Sequence, residues 1–145
     1  MTTDYIIRTA NDTDADRLRA LWLECGLTRP WNPVGRDIQA ALKGDSSTIL
    51  VLVTDCELTG SVMAGFDGHR GWVYYLAVTP KYQNKSHGKV LMGAAEQWLM
   101  DQGVWKVNLM IRPENSKVEA FYHRLGYTTE PRLVMGKQLA DPIQD

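Results

Sequence analysis

The stretch that most limits what this chain can fold into lies between Thr48 and Thr79. Three runs rich in β-branched, aliphatic and aromatic residues, Thr48 to Thr54 (TILVLVT), Leu58 to Phe66 and Trp72 to Thr79, are separated only by short polar connections. Such connections join antiparallel neighbours, because a parallel pairing needs a crossover of a dozen or more residues. The first is a tight acidic turn at Asp55 and Glu57. The second is Asp67-Gly68-His69-Arg70-Gly71, whose Asp-Gly pair is the strongest hairpin signal in the chain. Pro80 closes the third run. An antiparallel meander follows.

The flanks set the fold class. Downstream, Val90, Leu91, Ala94, Ala95, Trp98 and Leu99 recur at helical spacing between His87 and Gln102, and Gly103 ends the run. Trp105 to Ile111 alternates as a strand with Val107, Leu109 and Ile111 on one side. Ser116 to Leu125 is a helix ended by Gly126, and Arg132 to Leu139 reads as a final strand. Upstream, Tyr5 to Thr9 is a short strand. Asn11 caps a helix carrying Leu18, Leu21, Trp22 and Cys25 on one face, with Gly26 placed to stop it. Pro30 and Pro33 keep LTRPWNPVGRD a loop, before a short helix from Asp37 to Lys43. The order β-α-α-β-β-β-α-β-α-β predicts an α+β domain, a mixed and mostly antiparallel central sheet flanked by helices.

Composition narrows the function classes. At 145 residues the chain fits one domain, 1–145, with enough bulk for a core without disulfides or metals. A net charge of −1, with no basic stripe, argues against nucleic acid as a partner. No apolar run reaches the roughly 18 residues of a membrane span. The N-terminal MTTDYIIRTANDTD has no signal-peptide pattern, so a cytoplasmic protein without a membrane partner is expected. Cys25 and Cys56 both sit in apolar-rich segments and read as buried, reduced thiols.

The segment KYQNKSHGKVLM, residues 81–92, joins the third meander strand to the long helix. A strand-turn-helix junction aims free N–H groups and the positive end of the helix dipole beyond the turn, where an anion such as a diphosphate fits. Lys85 and Lys89 add positive charge, Ser86 a hydroxyl, and Gly88 room for another backbone to approach. The segment is not GxxxxGK[ST], nor GxGxxG with a distant acid, so neither triphosphate-loop nor dinucleotide binding is indicated. Taken alone it is equally a solvated helix start.

VTPKYQNKSHGKVLM followed by PENSKVEAFYHRLGY resembles the GCN5-related N-acetyltransferase (GNAT) superfamily. That family's helix-start pattern, Gln/Arg-x-x-Gly-x-Gly/Ala, binds the pyrophosphate of acetyl-CoA. Gln83-Asn84-Lys85-Ser86-His87-Gly88 matches its first and last positions, with Ser86 in place of the first glycine. Asn115, Phe121, Tyr122, Gly126 and Tyr127 match the downstream pattern. RPWN, DGHRG and YYLAVTP look like a bacterial subgroup. The resemblance implies a GNAT-like fold, acetyl-CoA as co-substrate, no metal, and residues 83–89 including Lys89 at the phosphates. It further implies main-chain groups of Leu76, Ala77 and Val78 along the pantetheine arm, Asn115 bonded to that arm, and Tyr122 as proton donor to the departing thiolate.

Each role has a plainer counterpart. Val118, Tyr122 and Leu125 share a helix face, so Tyr122 is also a core residue, and Asn115 is equally a helix N-cap. Trp72-Val73-Tyr74-Tyr75 holds no carboxylate, where many members carry a glutamate base. A water chain, His69, Asp67 or an amine arriving neutral stays open, with His69 weighted toward a solvated turn. Arg29, Trp31 and Asn32 in RPWN are the acceptor-side candidates. Against that, Trp31 is weighted toward covering the core and Arg29 toward a surface pair.

The expected activity is acetyl transfer from acetyl-CoA to a primary amine by direct attack. The alternatives are a non-catalytic acyl-CoA-binding module on the same fold, or acetylation of a protein N-terminus or lysine. A small-molecule or peptide amine is the expected partner, and a homodimer stays open.

Overall fold

The predicted meander forms, and the other elements wrap around it. In chain order the elements are β1 (Tyr5–Thr9), a 3-10 turn at Asp12–Asp14, α1 (Ala15–Glu24), α2 (Val34–Lys43), β2 (Ser47–Thr54), β3 (Glu57–Phe66) and β4 (Gly71–Val78). A second 3-10 turn at Pro80–Tyr82 leads to α3 (His87–Asp101), β5 (Val107–Asn108) and α4 (Ser116–Arg124). The structure is a computed structural model describing residues 4–143. Of the span expected to be one domain, residues 1–3 and 144–145 lie outside the described residues.

The sheet runs β1-β2-β3-β4-β5, antiparallel throughout except for the parallel β4–β5 pair. The β2–β3 turn consists of Asp55 and Cys56, both left-handed with φ of 50° and 65°. That is the backbone a two-residue hairpin loop needs to match strand twist. It leaves Cys56 exposed, contrary to the burial expected of both thiols, because a turn tip has nothing to pack under. The β3–β4 turn is held by Asp67, whose Oδ1 accepts from the N–H groups of His69 and Arg70, each at 2.8 Å.

The unbroken apolar run of β2 follows from its position between two layers. Ile49 and Val51 pack with Leu18, Leu21 and Trp22 of α1 and Ile38 of α2. Leu50 and Leu52 face the opposite way, toward Leu91, Met92 and Leu99 of α3 and Tyr122 of α4. Both faces being buried, alternation disappears from the sequence. Each fully buried leucine contributes about 1.5–3 kcal/mol.

Asn11 caps as expected, but onto the 3-10 turn that feeds α1, in a reciprocal box with Asp14. Arg8 grips Asp14 through two bonds of 2.8 and 2.9 Å, tying β1 to that entry and holding the Asp14 carboxyl below its usual range. α2 starts at Val34 rather than Asp37. Pro33, at φ −77°, sits at the helix entry, where its ring and missing N–H are tolerated.

Two irregularities shape the β4 edge. Met63 pairs with Tyr74 and Ser61 with Ala77, so β4 carries one residue more than β3 between these pairs. That bulge includes Tyr75, left-handed at φ +53°. Beyond it, β4 and β5 pair only at Gly71↔Val107 and Trp72↔Asn108. From Val73 onward the two strands part. The strand expected over Trp105 to Ile111 therefore shrinks to two ladder residues, although Val107, Leu109 and Ile111 do turn to one side.

The final strand expected over Arg132 to Leu139 is not formed. Residues 131–143 have no regular structure, and Leu133, Met135 and Leu139 are about nine-tenths exposed. The apolar pattern is present, but no neighbouring strand accepts it. No helix of the described residues is long and apolar enough to cross a membrane.

Candidate active site

The β4–α3 junction follows from its local backbone. Pro80 opens a 3-10 turn, Asn84 and Ser86 are left-handed at φ 62° and 67°, and α3 begins at His87. The first intrahelical bond runs from the Val90 N–H to the Ser86 carbonyl. The Ser86 side chain makes no capping bond, and no acidic residue occupies the first turn. The N–H groups of His87, Gly88 and Lys89 thus open the helix without an internal anion. Lys85 and Lys89 are exposed.

Not every side chain of this segment points outward. Gln83 donates through Nε2 to the Val78 carbonyl at 2.8 Å, bracing the loop against the end of β4. His87 turns inward and is only 5% exposed, with Tyr82 stacked at 5.6 Å and Tyr5 edge-on at 5.5 Å. Its Nδ1 has no hydrogen-bond partner, and burial, with Lys85 second, lowers the imidazole's affinity for a proton. The close neighbour of Gly88 is a side chain rather than a backbone: a Cβ there would lie 3.2 Å from the Phe121 ring of α4.

Tyr122 lies on α4, 8% exposed, in the same apolar cluster as Leu76, Val78, Leu109 and Ile111. Phe121 and Tyr127 meet its ring edge-on at 5.0 and 5.5 Å. Burial pushes the phenol up to about 12, so it holds its proton at neutral pH. No hydrogen bond engages the hydroxyl among the described residues. Core packing and an unengaged hydroxyl thus coexist in one side chain. Asn115 occupies the N-cap position of α4 without a side-chain capping bond. Its carboxamide is uncommitted within the described residues.

On the α1–α2 face of the bulge stands a group that sequence reasoning missed. The Tyr75 ring stacks on buried Trp22 at 3.8 Å and 5°. Its hydroxyl donates to Asp37 Oδ2 at 2.7 Å and accepts from Asn32 Nδ2 at 3.1 Å, while Asn32 Nδ2 also reaches Asp37 Oδ2 at 3.4 Å. Three elements, the α1–α2 loop, α2 and β4, therefore converge on one carboxylate. Desolvation, then the bond to Asp37, pushes the Tyr75 phenol well above its usual range. No local signal could have paired Asp37 with Tyr75, because the bulge that turns Tyr75 toward α1 has no mark in the sequence.

The other acceptor-side candidates divide. Trp31 is 67% exposed, which overturns its expected place over the core. Arg29 forms no ion pair among the described residues; it donates to the carbonyls of Gly26 and Thr28 at 2.9 and 2.8 Å, knitting the loop. Asp67 is committed to its turn, and the N–H groups of Arg70 and His69 hold its carboxyl below the usual range. His69 lies at the same exposed tip.

A sequence model of the acetyltransferase (GNAT) family matches residues 13–127. The chain belongs to this family. A Yersinia pestis (strain Pestoides F) protein named acetyltransferase is 38% identical over 133 residues, 92% of this chain and 94% of that one. A Pectobacterium atrosepticum acetyltransferase is 37% identical over 93% of this chain and 96% of its own. An aminoglycoside N-acetyltransferase solved with CoA superposes with a TM-score of 0.82 at 17% identity, over 97% of this chain and 98% of that one. Glucosamine-6-phosphate N-acetyltransferase from Arabidopsis thaliana gives 0.72 at 18%, over 94% and 99%. These two likenesses are likenesses of fold. Within the GNAT frame, the left-handed Ser86 gives a physical reason for glycine at that position of the family pattern: φ near +67° suits a residue without a Cβ.

Proposed function

We propose that this GNAT protein is an acetyl-CoA-dependent N-acetyltransferase acting on a small primary amine. The observation that carries the reading is Tyr122, a buried phenol whose proton is retained and whose hydroxyl is unengaged. The fit of acetyl-CoA rests on the α3 start, with its free N–H groups, nearby lysines and no first-turn acid, and on the parted β4 and β5. Main-chain groups of Leu76, Ala77 and Val78 border that parting and take the pantetheine arm. The carboxamide of Asn115 is free to bond the same arm.

In the reaction the amine lone pair forms a bond to the thioester carbonyl carbon and the carbon–sulfur bond breaks. Tyr122 gives its proton to the sulfur, and the phenolate recovers one from the nitrogen through solvent. Asp37, fixed by Tyr75 and Asn32 through Oδ2, has Oδ1 left to hold an ammonium. Among similar folds, aminoglycoside N-acetyltransferases support the small-amine reading, and a ribosomal-protein-S18-alanine N-acetyltransferase from Escherichia coli supports the protein-terminus alternative. The two unpaired thiols suit a reducing, cytoplasmic setting.

The test is release of CoA thiol from acetyl-CoA across a panel of small amines and short peptides. Small amines should accelerate release, and Tyr122→Phe should lower kcat by roughly 10²–10⁴ with CoA affinity retained. Binding of CoA with no amine accelerating release would instead establish the non-catalytic module. Turnover of peptides alone would move the acceptor to proteins.

A further inference from the structure

We infer that Ser61, a buried serine on β3, is a positioning residue for the acceptor side: its hydroxyl sets the β4 bulge that brings Tyr75 to Asp37. The inference rests on the proposed reading in which Asp37 holds the acceptor's ammonium. Ser61 is fully buried and shares the α1–α2 face of the sheet with its ladder partners Val51 and Ala77. An apolar side chain would meet the packing needs of that position. A hydroxyl is tolerated there only when it is hydrogen-bonded.

Ser61 is bonded in both directions. Trp22 Nε1 donates to Ser61 Oγ at 2.8 Å, and Ser61 Oγ donates to the Tyr75 carbonyl at 2.9 Å. An indole N–H can only donate and a carbonyl can only accept, so the order from Trp22 through Ser61 to Tyr75 is fixed. The carbonyl it reaches belongs to the bulge. Ser61 pairs with Ala77 and Met63 with Tyr74, so the register gives Tyr75 no partner on β3. Tyr75 is also left-handed at φ +53°, a backbone that an aromatic residue holds only where its surroundings over-determine it.

Those surroundings grip Tyr75 at three points. Ser61 takes the carbonyl, the Trp22 indole stacks on the ring at 3.8 Å, and Asp37 and Asn32 bond the hydroxyl at 2.7 and 3.1 Å. Trp22 joins the first two, since the ring that stacks is the one whose N–H orients Ser61. Without the Ser61 hydroxyl, the Trp22 N–H and the Tyr75 carbonyl both lose this partner, and the backbone that aims the Tyr75 ring loses its hold. Asp37 then keeps its charge but not its fixed place. The cofactor end of β4 is held separately: the Val78 carbonyl accepts from Gln83 Nε2 at 2.8 Å and from Cys25 Sγ at 3.3 Å. Ser61 therefore acts on the acceptor side and leaves CoA binding alone.

Three variants of the full chain test this through amine KM, kcat and CoA affinity. Ser61→Ala should raise KM for the accepted amine roughly 3- to 10-fold, the worth of one hydrogen bond, with kcat and the CoA dissociation constant within about twofold. Tyr75→Phe removes the hydroxyl that fixes Asp37. Because Ser61 acts through Tyr75, adding Ser61→Ala to it should raise KM no further. A readout free of turnover comes from NMR: the Tyr75 ring protons, moved upfield by the stacked indole, should move back in Ser61→Ala. Should Ser61→Ala not fold, Ser61→Cys, which keeps a weak donor, should show smaller changes of the same sign. Unmoved Tyr75 signals, or KM effects that multiply in the double variant, overturn the inference while the acetyltransferase reading stands. So does a loss of CoA affinity as large as the rise in KM, which is what general damage to the fold would give. A protein that acetylates no amine would instead overturn the reading itself, and the acceptor role of Ser61 with it.

Discussion

Ser86 shows how one residue can carry both a fold's requirement and a departure from it. A non-glycine residue at φ +67° costs about 1–2 kcal/mol, partly offset because glycine loses about 0.5–1 kcal/mol more on folding. Ser86→Gly should therefore leave stability the same or higher, within about 1 kcal/mol, and bind CoA no more weakly, by urea denaturation and calorimetry. A clear loss of affinity would mean that the serine hydroxyl contacts the phosphates. His87 makes a separate prediction. Burial lowers its proton affinity in the fold, while the unfolded residue titrates near 6.5. As pH falls below about 6.5, the unfolded state takes up the proton first. Stability should be flat above that value and decline from there down to the lowered folded pKa. His87→Phe should flatten this slope in urea midpoints measured from pH 7.5 to 5.

At the scale of elements, the acceptor side depends on where α2 and the β4 bulge meet. Tyr75 could not have been assigned from alternation, since a bulge reverses the face of every residue after it. The same applies to Asp37, which in the sequence is only an early helix residue. Asp37→Asn keeps the shape and removes the charge. If Oδ1 holds the acceptor's ammonium, KM for the amine should rise roughly 10- to 100-fold, the worth of a charged hydrogen bond, with a smaller change in kcat. An unchanged KM would remove Asp37 from the acceptor site. α3 presents the opposite case. Its apolar spacing, its start at His87 and the glycine after it were all readable, because each is a local property of a helix. Tyr122 was readable in its motif and in its packing face, but its unengaged hydroxyl was not.

For the whole molecule, ligand linkage gives the broadest check. CoA at about 100 times its dissociation constant should add about 2.7 kcal/mol to stability. That corresponds to a rise in Tm of several degrees for a domain of this size. No shift at millimolar CoA would remove the cofactor assignment and the proposed reaction with it. The sequence by itself determined the antiparallel meander, the order of helices around it and the family motifs, since turns and helical periods are set by neighbours along the chain. Only the tertiary structure decided that β4 and β5 part after two paired residues, that Tyr75 reaches Asp37, and that the apolar tail finds no strand within its own chain. Each of these depends on what lies opposite in space, and strand pairing carries no record of its partner in the strand's own residues.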